Sequence, residues 1–290
     1  MTSTCAWFGE HARDLPWRRP GTSPWGVVVS EIMAQQTPVS RVVEPWTMWM
    51  DRWPSPAHLA GEPPGAAVAA WGRLGYPRRA LRLHAAATRI VEAHGGEVPA
   101  DLAALESLPG FGRYTAAAVF SFAFGGRAPV LDTNVRRVLA RVEDAAEFPP
   151  TSASVGEWRR AAEWVGVLEG TPGAPEPALW AVASMELGAL VCTARTPACS
   201  LCPLQSDCAW LAAGRPAYAG PPRRTQAWYG TDRQCRGVLL DIVRRADAGG
   251  LAVDASQLLA GWADADQARR CLEGLAADGL VRVGPDGVRL

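Results

Sequence analysis

The chain contains no lysine: all 29 residues counted as Lys plus Arg are arginine. A reaction that needs a side-chain amine as nucleophile is thereby excluded. Net charge is absent too, because 29 acidic residues offset the 29 arginines. Bulk charge therefore does not announce a nucleic-acid partner. No uncharged stretch is long and apolar enough to span a bilayer. The N-terminal MTSTCAWFGEHARDLPW lacks the basic start and apolar run of a secretory signal, so cytoplasmic residence without membrane association is the expectation. The period-two alternation that marks strands does not occur in the first 215 residues. What is present is a 290-residue chain, 48% hydrophobic, long enough for two domains and a sizeable core.

The apolar spacing is helical. Residues 24–53 read as two helices broken at Pro38 and Pro45, and residues 65–94 as two more around a break at Gly72–Pro77. Asp101–Leu108 and Tyr114–Phe124 read as short helices flanking Pro-Gly-Phe-Gly. Asn134–Arg141 starts another, with Asp132 or Thr133 suited to its N-cap. Trp158–Leu168 and Leu179–Val191 follow. Residues 216–232, rich in Pro and Gly, read as a linker. Beyond it, Arg233–Ala246, Ala255–Leu259 and Ala265–Asp278 look helical. GLVRVGPDGVRL then alternates around Pro285-Asp286-Gly287, a hairpin signal. The expectation is an all-α domain over 1–215 and a small winged-helix-like unit over 233–290.

Cys192, Cys199, Cys202 and Cys208 are separated by six, two and five residues. Four thiolates in a compact loop suit zinc or an iron–sulfur cluster. Structural zinc usually pairs two short C-x2-4-C arms across a longer spacer, and only one such arm exists here. A single loop wrapping a cubane fits better, and a disulfide framework does not suit a chain of this size without a secretory signal. Cys5, Cys235 and Cys271 have no ligand spacing and read as ordinary thiols. Arginine without acid fills one stretch: between Pro63 and Val91 lie Arg73, Arg78, Arg79, Arg82 and Arg89. It reads equally as a phosphate-facing surface or as a solvated helix face.

Taken in order, several segments resemble the helix-hairpin-helix DNA glycosylases, the group that includes endonuclease III and the MutY adenine glycosylases. The cysteine loop, with Pro203 after the third cysteine, resembles that group's [4Fe–4S] loop, for which the resemblance implies a mainly architectural role. LPGFGRYTA over residues 108–116 is similar to its hairpin, in which Gly110, Gly112 and Arg113 would meet DNA phosphate. Tyr114 stands where endonuclease III has a lysine, as in many MutY-like enzymes. VLDTNVRRVLA resembles the segment of the catalytic aspartate, which falls on Asp132, with Asn134 supporting it. WGVVVSEIMAQQT resembles the MutY segment whose catalytic glutamate falls on Glu31, among Val28, Val29, Ile32 and Met33. Gln36 and Tyr76 match residues that wedge into the base stack, with Pro77 replacing a second tyrosine. Trp17, Arg18 and Glu186 match residues lining the adenine pocket.

The resemblance implies a helix-hairpin-helix glycosylase fold with an iron–sulfur loop. It implies a monomeric, nucleoid-associated enzyme of base excision repair acting on double-stranded DNA with adenine mispaired to 8-oxoguanine or guanine. Glu31 would protonate the purine and Asp132 would stabilise an oxocarbenium-like sugar, after the nucleotide has been flipped out. A thymine or uracil mismatch glycosylase, or a non-catalytic DNA-binding iron–sulfur protein, are the alternatives. The family's usual C-terminal Nudix-like lesion reader has no room in the tail. That tail is expected to touch phosphate through Arg244, Arg245, Arg269 and Arg270, adding affinity without selectivity.

Overall fold

In the computed structural model, which describes residues 1–220 and 228–290, helices dominate. They are α1 (Thr2–His11), α2 (Pro24–Ala34), α3 (Val43–Arg52), α4 (Pro56–Ala60), α5 (Pro64–Ala70), α6 (Arg78–His94), α7 (Leu102–Glu106), α8 (Arg113–Phe124), α9 (Thr133–Val142), α10 (Val155–Gly170), α11 (Pro177–Leu190) and α12 (Ala209–Ala212). In the tail follow α13 (Asp232–Asp247), α14 (Ala255–Leu259), α15 (Ala265–Ala277) and the hairpin β1 (Arg282–Gly284) and β2 (Gly287–Arg289). Part of the expected linker, residues 221–227, lies outside the described residues. No helix among those described is long and apolar enough to cross a membrane.

Pro38 breaks the helical run as expected, but Pro45 does not. It lies in the first turn of α3, where a backbone N–H would have no intrahelical acceptor. Three helices escape the periodicity, α1 and the single-turn α4 and α12. Helix α10 begins at Val155, ahead of the expected start at Trp158, because Ser154 and Glu157 form a reciprocal capping box.

The described residues divide into two compact units that do not follow chain order. The first holds Met1–Val27, Ala100–Ser107 and residues 111–220. Its centre is α11, which packs against α1, α8, α9 and α10. The helix is predominantly apolar, with Trp180, Ala181, Ala183, Leu187 and Gly188 buried beside Glu186, as a helix packed against several others requires. Gly188 sets the spacing to α9: a Cβ there would lie 2.7 Å from Asn134 Cβ.

The second unit holds Val28–Pro99, Leu108–Gly110 and residues 228–290. Helix α6 packs on α4 and α5, and α13 packs on α14, α15 and β2. The hairpin pairs Val283 with Val288 in antiparallel register, and Val253 bridges to Val288, so that three helices and a short hairpin make up the tail. This tail is docked, not tethered. Arg244 donates to the Val68 and Gly72 carbonyls at 2.9 and 2.6 Å, and burial lowers its pKa to about 10. The expectation that Arg244 grips phosphate is thus corrected: its guanidinium caps the C-terminal end of α5, where carbonyls lack intrahelical partners. Arg245 and Arg269 form ion pairs with Asp241 and Asp266 of their own helices; Arg270 is exposed.

Candidate active site and cluster loop

Helix α9 organises the first unit's chemistry. Its N-cap is Asp132, as one of the two sequence candidates. Asp132 Oδ1 accepts the Val135 N–H at 2.6 Å, and Oδ2 accepts Asn134 Nδ2 at 2.7 Å. Burial pushes the Asp132 carboxyl above the ordinary aspartate value, against the pull of these donors and of Arg137. A helix N-terminus favours the ionised form; desolvation outweighs it here.

Arg137 extends the network. It donates to Asn134 Oδ1 at 2.8 Å, to the Gly188 carbonyl at 2.6 Å and to the Cys192 carbonyl at 2.7 Å. Hydrogen bonds therefore run without a gap from the first cysteine's backbone through Arg137 and Asn134 to the Asp132 carboxylate. Arg137 is a residue the sequence reading passed over. Its only sequence signal is its place in an α9 stripe of arginines, Arg136, Arg137 and Arg141, all buried.

Cys192, Cys199, Cys202 and Cys208 line one pocket with Val138, Leu187, Val191 and Trp210. No three His, Cys, Asp or Glu side chains among the described residues converge on a point that would hold a single metal ion. Four thiols lining one space are a donor set for a multi-metal cluster or a thiolate-bound ion. Burial pushes the Cys202 thiol up to about 11 and raises Cys192 as well, so a cationic centre is what would hold these sulfurs as thiolates. Arg141 is spent on the same loop. It donates to Cys192 Sγ at 3.2 Å and to the Thr193 carbonyl at 2.8 Å, with its guanidinium 4.6 Å from the Trp210 ring centre. The donor set fits a [4Fe–4S] cluster held by the four cysteines.

Glu186, in α11, is wholly buried. Arg13 binds it through Nε and Nη2, both at 2.7 Å, and Arg18 through Nη2 at 3.0 Å. Against the upward push of its burial, the Arg13 and Arg18 contacts hold its pKa at about 2. Glu186 therefore works from beneath, fixing Arg18 and the short turn Pro16–Arg18 that carries Trp17. Arg13 was not singled out from the sequence. Arg18 Nη1 is buried and makes no hydrogen bond among the described residues.

The hairpin is built as its glycines require. Gly110 has φ +82°, and a Cβ there would lie 2.8 Å from Arg82 Cβ, so only glycine fits. Gly112 is the N-cap of α8 without a side-chain cap. Arg113 stacks over Trp158 at 4.2 Å. Tyr114 is half-buried against Ala117, Ala118 and Val130.

In the second unit, Glu31 lies half-buried in α2 next to the buried Val28 and Ile32. Gln36 and Tyr76 have positive φ, +54° and +48°; the other described non-glycine residues so placed are Ala145 and Arg215. Strained backbone of this kind concentrates at functional sites. One buried guanidinium secures both strained turns. Arg79 donates to the carbonyls of Ile32, Met33, Gln35 and Gly75 and to Thr37 Oγ1. Pro77 takes the N-cap position of α6 with φ −63°, so its departure from the family pattern starts a helix and leaves the turn intact.

Residues 29–158 match the HhH-GPD superfamily of base excision DNA repair proteins, and residues 192–208 match the iron–sulfur binding domain of endonuclease III. The chain is 50% identical over 288 residues to the adenine DNA glycosylase of Mycobacterium tuberculosis, covering 99% of this chain and 91% of that one. It belongs to the MutY-type adenine DNA glycosylases. Within the wider family, it is 39% identical to the human adenine DNA glycosylase over 71% of this chain and 38% of that protein. It is 35% identical to a thymine/uracil-DNA glycosylase of Pyrobaculum aerophilum over 69% of this chain and 84% of that one. The fold is that of a thermostable thymine-DNA glycosylase, with a TM-score of 0.64 at 23% identity, covering 73% of this chain and 94% of that one. The family's cofactor is the [4Fe–4S] cluster, and its enzyme class is DNA N-glycosylase.

Proposed function

We propose that this chain excises adenine mispaired with 8-oxoguanine or guanine in double-stranded DNA and leaves an abasic site without cutting the strand. The observation that carries the reading is Asp132, a buried carboxylate whose two oxygens are fixed by the α9 backbone and Asn134. Such a group is set to oppose positive charge on a reacting sugar. Glu31 would place a proton on adenine N7, weakening the bond between N9 and the sugar's C1′ until it breaks with its electrons leaving on the base. Asp132 would hold the cationic sugar while water attacks C1′ and loses a proton. Trp17 and Arg18, set by Glu186, would receive the flipped base; Gln36 and Tyr76 would fill the gap it leaves. Gly110, Gly112 and Arg113 would hold the backbone at the N-terminus of α8. When bound, the cluster supplies a cross-link between α11, its loop and α12, not an acid or base.

The absence of lysine and the tyrosine at position 114 support a monofunctional reaction, since no side-chain amine can attack the sugar. Glu31→Gln keeps the shape but removes the transferable proton. Single-turnover excision should fall by at least ~10²-fold, the usual loss for a general acid, with duplex binding retained. A near-normal rate in this variant would remove Glu31 from the mechanism.

A further inference from the structure

The loop that carries Tyr76 has a side-chain donor on each of its four preceding carbonyls. Arg244 of the tail takes Gly72 at 2.6 Å, and Arg41 takes Arg73. Thr37 takes Leu74 at 3.3 Å, and Arg79 and Trp71 both take Gly75 at 2.9 Å. Tyr76 itself stands 41% exposed at the end of this clamped turn. Its ring belongs to a run of alternating aromatic rings and guanidiniums: Trp228, Arg233, Tyr76, Arg79 and Trp71, with successive separations of 5.3, 4.7, 5.7 and 5.1 Å. The first two members come from the tail and its approach. A third tail contact lies one turn further on, where Asp278 pairs with both Arg236 and Arg78.

We propose that the C-terminal tail is a positioning element for the Tyr76 wedge, with Arg233 as its positioning residue. The inference rests on Tyr76 acting as a wedge, as stated above. A ring that enters a base stack must arrive with a defined orientation, because rotational freedom lost on insertion subtracts from the insertion energy. Arg79 fixes the turn from within, and Arg233 fixes the ring from the tail. Residues 228–290 thus assist the opening of the mispair without reading the lesion.

The test uses the full-length protein loaded with its cluster. Single-turnover excision is compared for the wild type, Arg233→Gln, Arg233→Lys, Tyr76→Ala and the Arg233→Gln/Tyr76→Ala double variant. One substrate is an A:G duplex. The other has adenine opposite an abasic analogue, where no base pair has to open. Arg233 is exposed at the start of α13, so its substitution spares the core. Arg233→Gln should slow excision from A:G by roughly two- to fivefold, the scale of one exposed cation–π contact, and leave the abasic-analogue substrate unchanged. Arg233→Lys should recover most of the rate. In the Tyr76→Ala background, Arg233→Gln should add nothing. A 2-aminopurine placed next to the mispair should brighten less on binding Arg233→Gln than on binding the wild type.

A loss equal on both substrates, with weaker binding and a shallower salt dependence, would make Arg233 a phosphate contact and overturn the proposal. So would full additivity with Tyr76→Ala. If Tyr76→Ala alone leaves A:G excision intact, the wedge reading itself falls and takes the proposal with it. If Tyr76→Ala is slow and Arg233→Gln is not, only the tail's role falls.

Discussion

Asp132 shows how a single residue can serve both a helix and a reaction. As an N-cap it closes the first turn of α9, but its burial raises the cost of the charge it must carry. A carboxyl whose folded pKa lies above its unfolded value stabilises the fold at low pH. That contribution is lost as pH rises through the folded value. Once ionised, Asp132 is therefore a net burden on stability. Asp132→Asn keeps a capping side chain and removes the charge, so it should raise Tm while abolishing excision. Calorimetry beside a glycosylase assay checks both halves, and a lower Tm would contradict the burial argument. The same shift places the acid limb of the wild-type rate profile above the ordinary aspartate range. Asp132 was legible as an N-cap because a capping residue before a helical run has a local signature; Asn134 stood out only through the family resemblance. Arg13 and Arg137 were not legible: their partners lie 173 and 55 residues away in sequence, and nothing in local spacing marks such contacts.

Among elements, legibility followed the strength of the local pattern. Helices α13 to α15 and the hairpin fall almost where periodicity and turn residues put them, because each has an apolar stripe and its own cap. Helix α1 was missed because its buried position is a threonine, Thr4, and α4 because a single turn carries no period. The Leu108–Gly112 hairpin was legible through its glycines, yet only the structure separates their roles. Gly110 is confined by its positive φ and by Arg82; Gly112 has open space around it. Gly110→Ala should therefore destabilise the protein by at least about 1 kcal/mol, the usual penalty for forcing a side chain into left-handed backbone. It should also weaken duplex binding in proportion to the displaced α8 N-terminus. Gly112→Ala should lose little stability and lose affinity only where the added methyl meets DNA. Chemical denaturation of the two variants side by side distinguishes these cases, and equal stability losses would refute the assignment.

On the scale of the whole molecule, the largest departure from the sequence reading concerns the tail. Composition and a Pro/Gly-rich approach suggested a separate phosphate-gripping unit whose removal would spare selectivity. The described structure instead seats Arg244 on the carbonyls of Val68 and Gly72 and brings the Leu290 backbone against Gly65. Deleting residues 221–290 should uncover unpaired carbonyls at the end of α5 and lower Tm, with base excision from paired substrates falling as the Tyr76 turn loosens. An unchanged Tm would mean that the tail is an appendage after all. The central claim is the chemistry itself: a lysine-free, two-carboxylate adenine glycosylase. Its most direct test is single-turnover release of base from A:8-oxoG, A:G, T:G and U:G duplexes, each with and without borohydride. Release confined to the two adenine mispairs, with an intact abasic strand and no trapped adduct on any side chain, is the predicted result. Release of thymine or uracil in place of adenine, or efficient borohydride trapping away from the terminal amine, would contradict it.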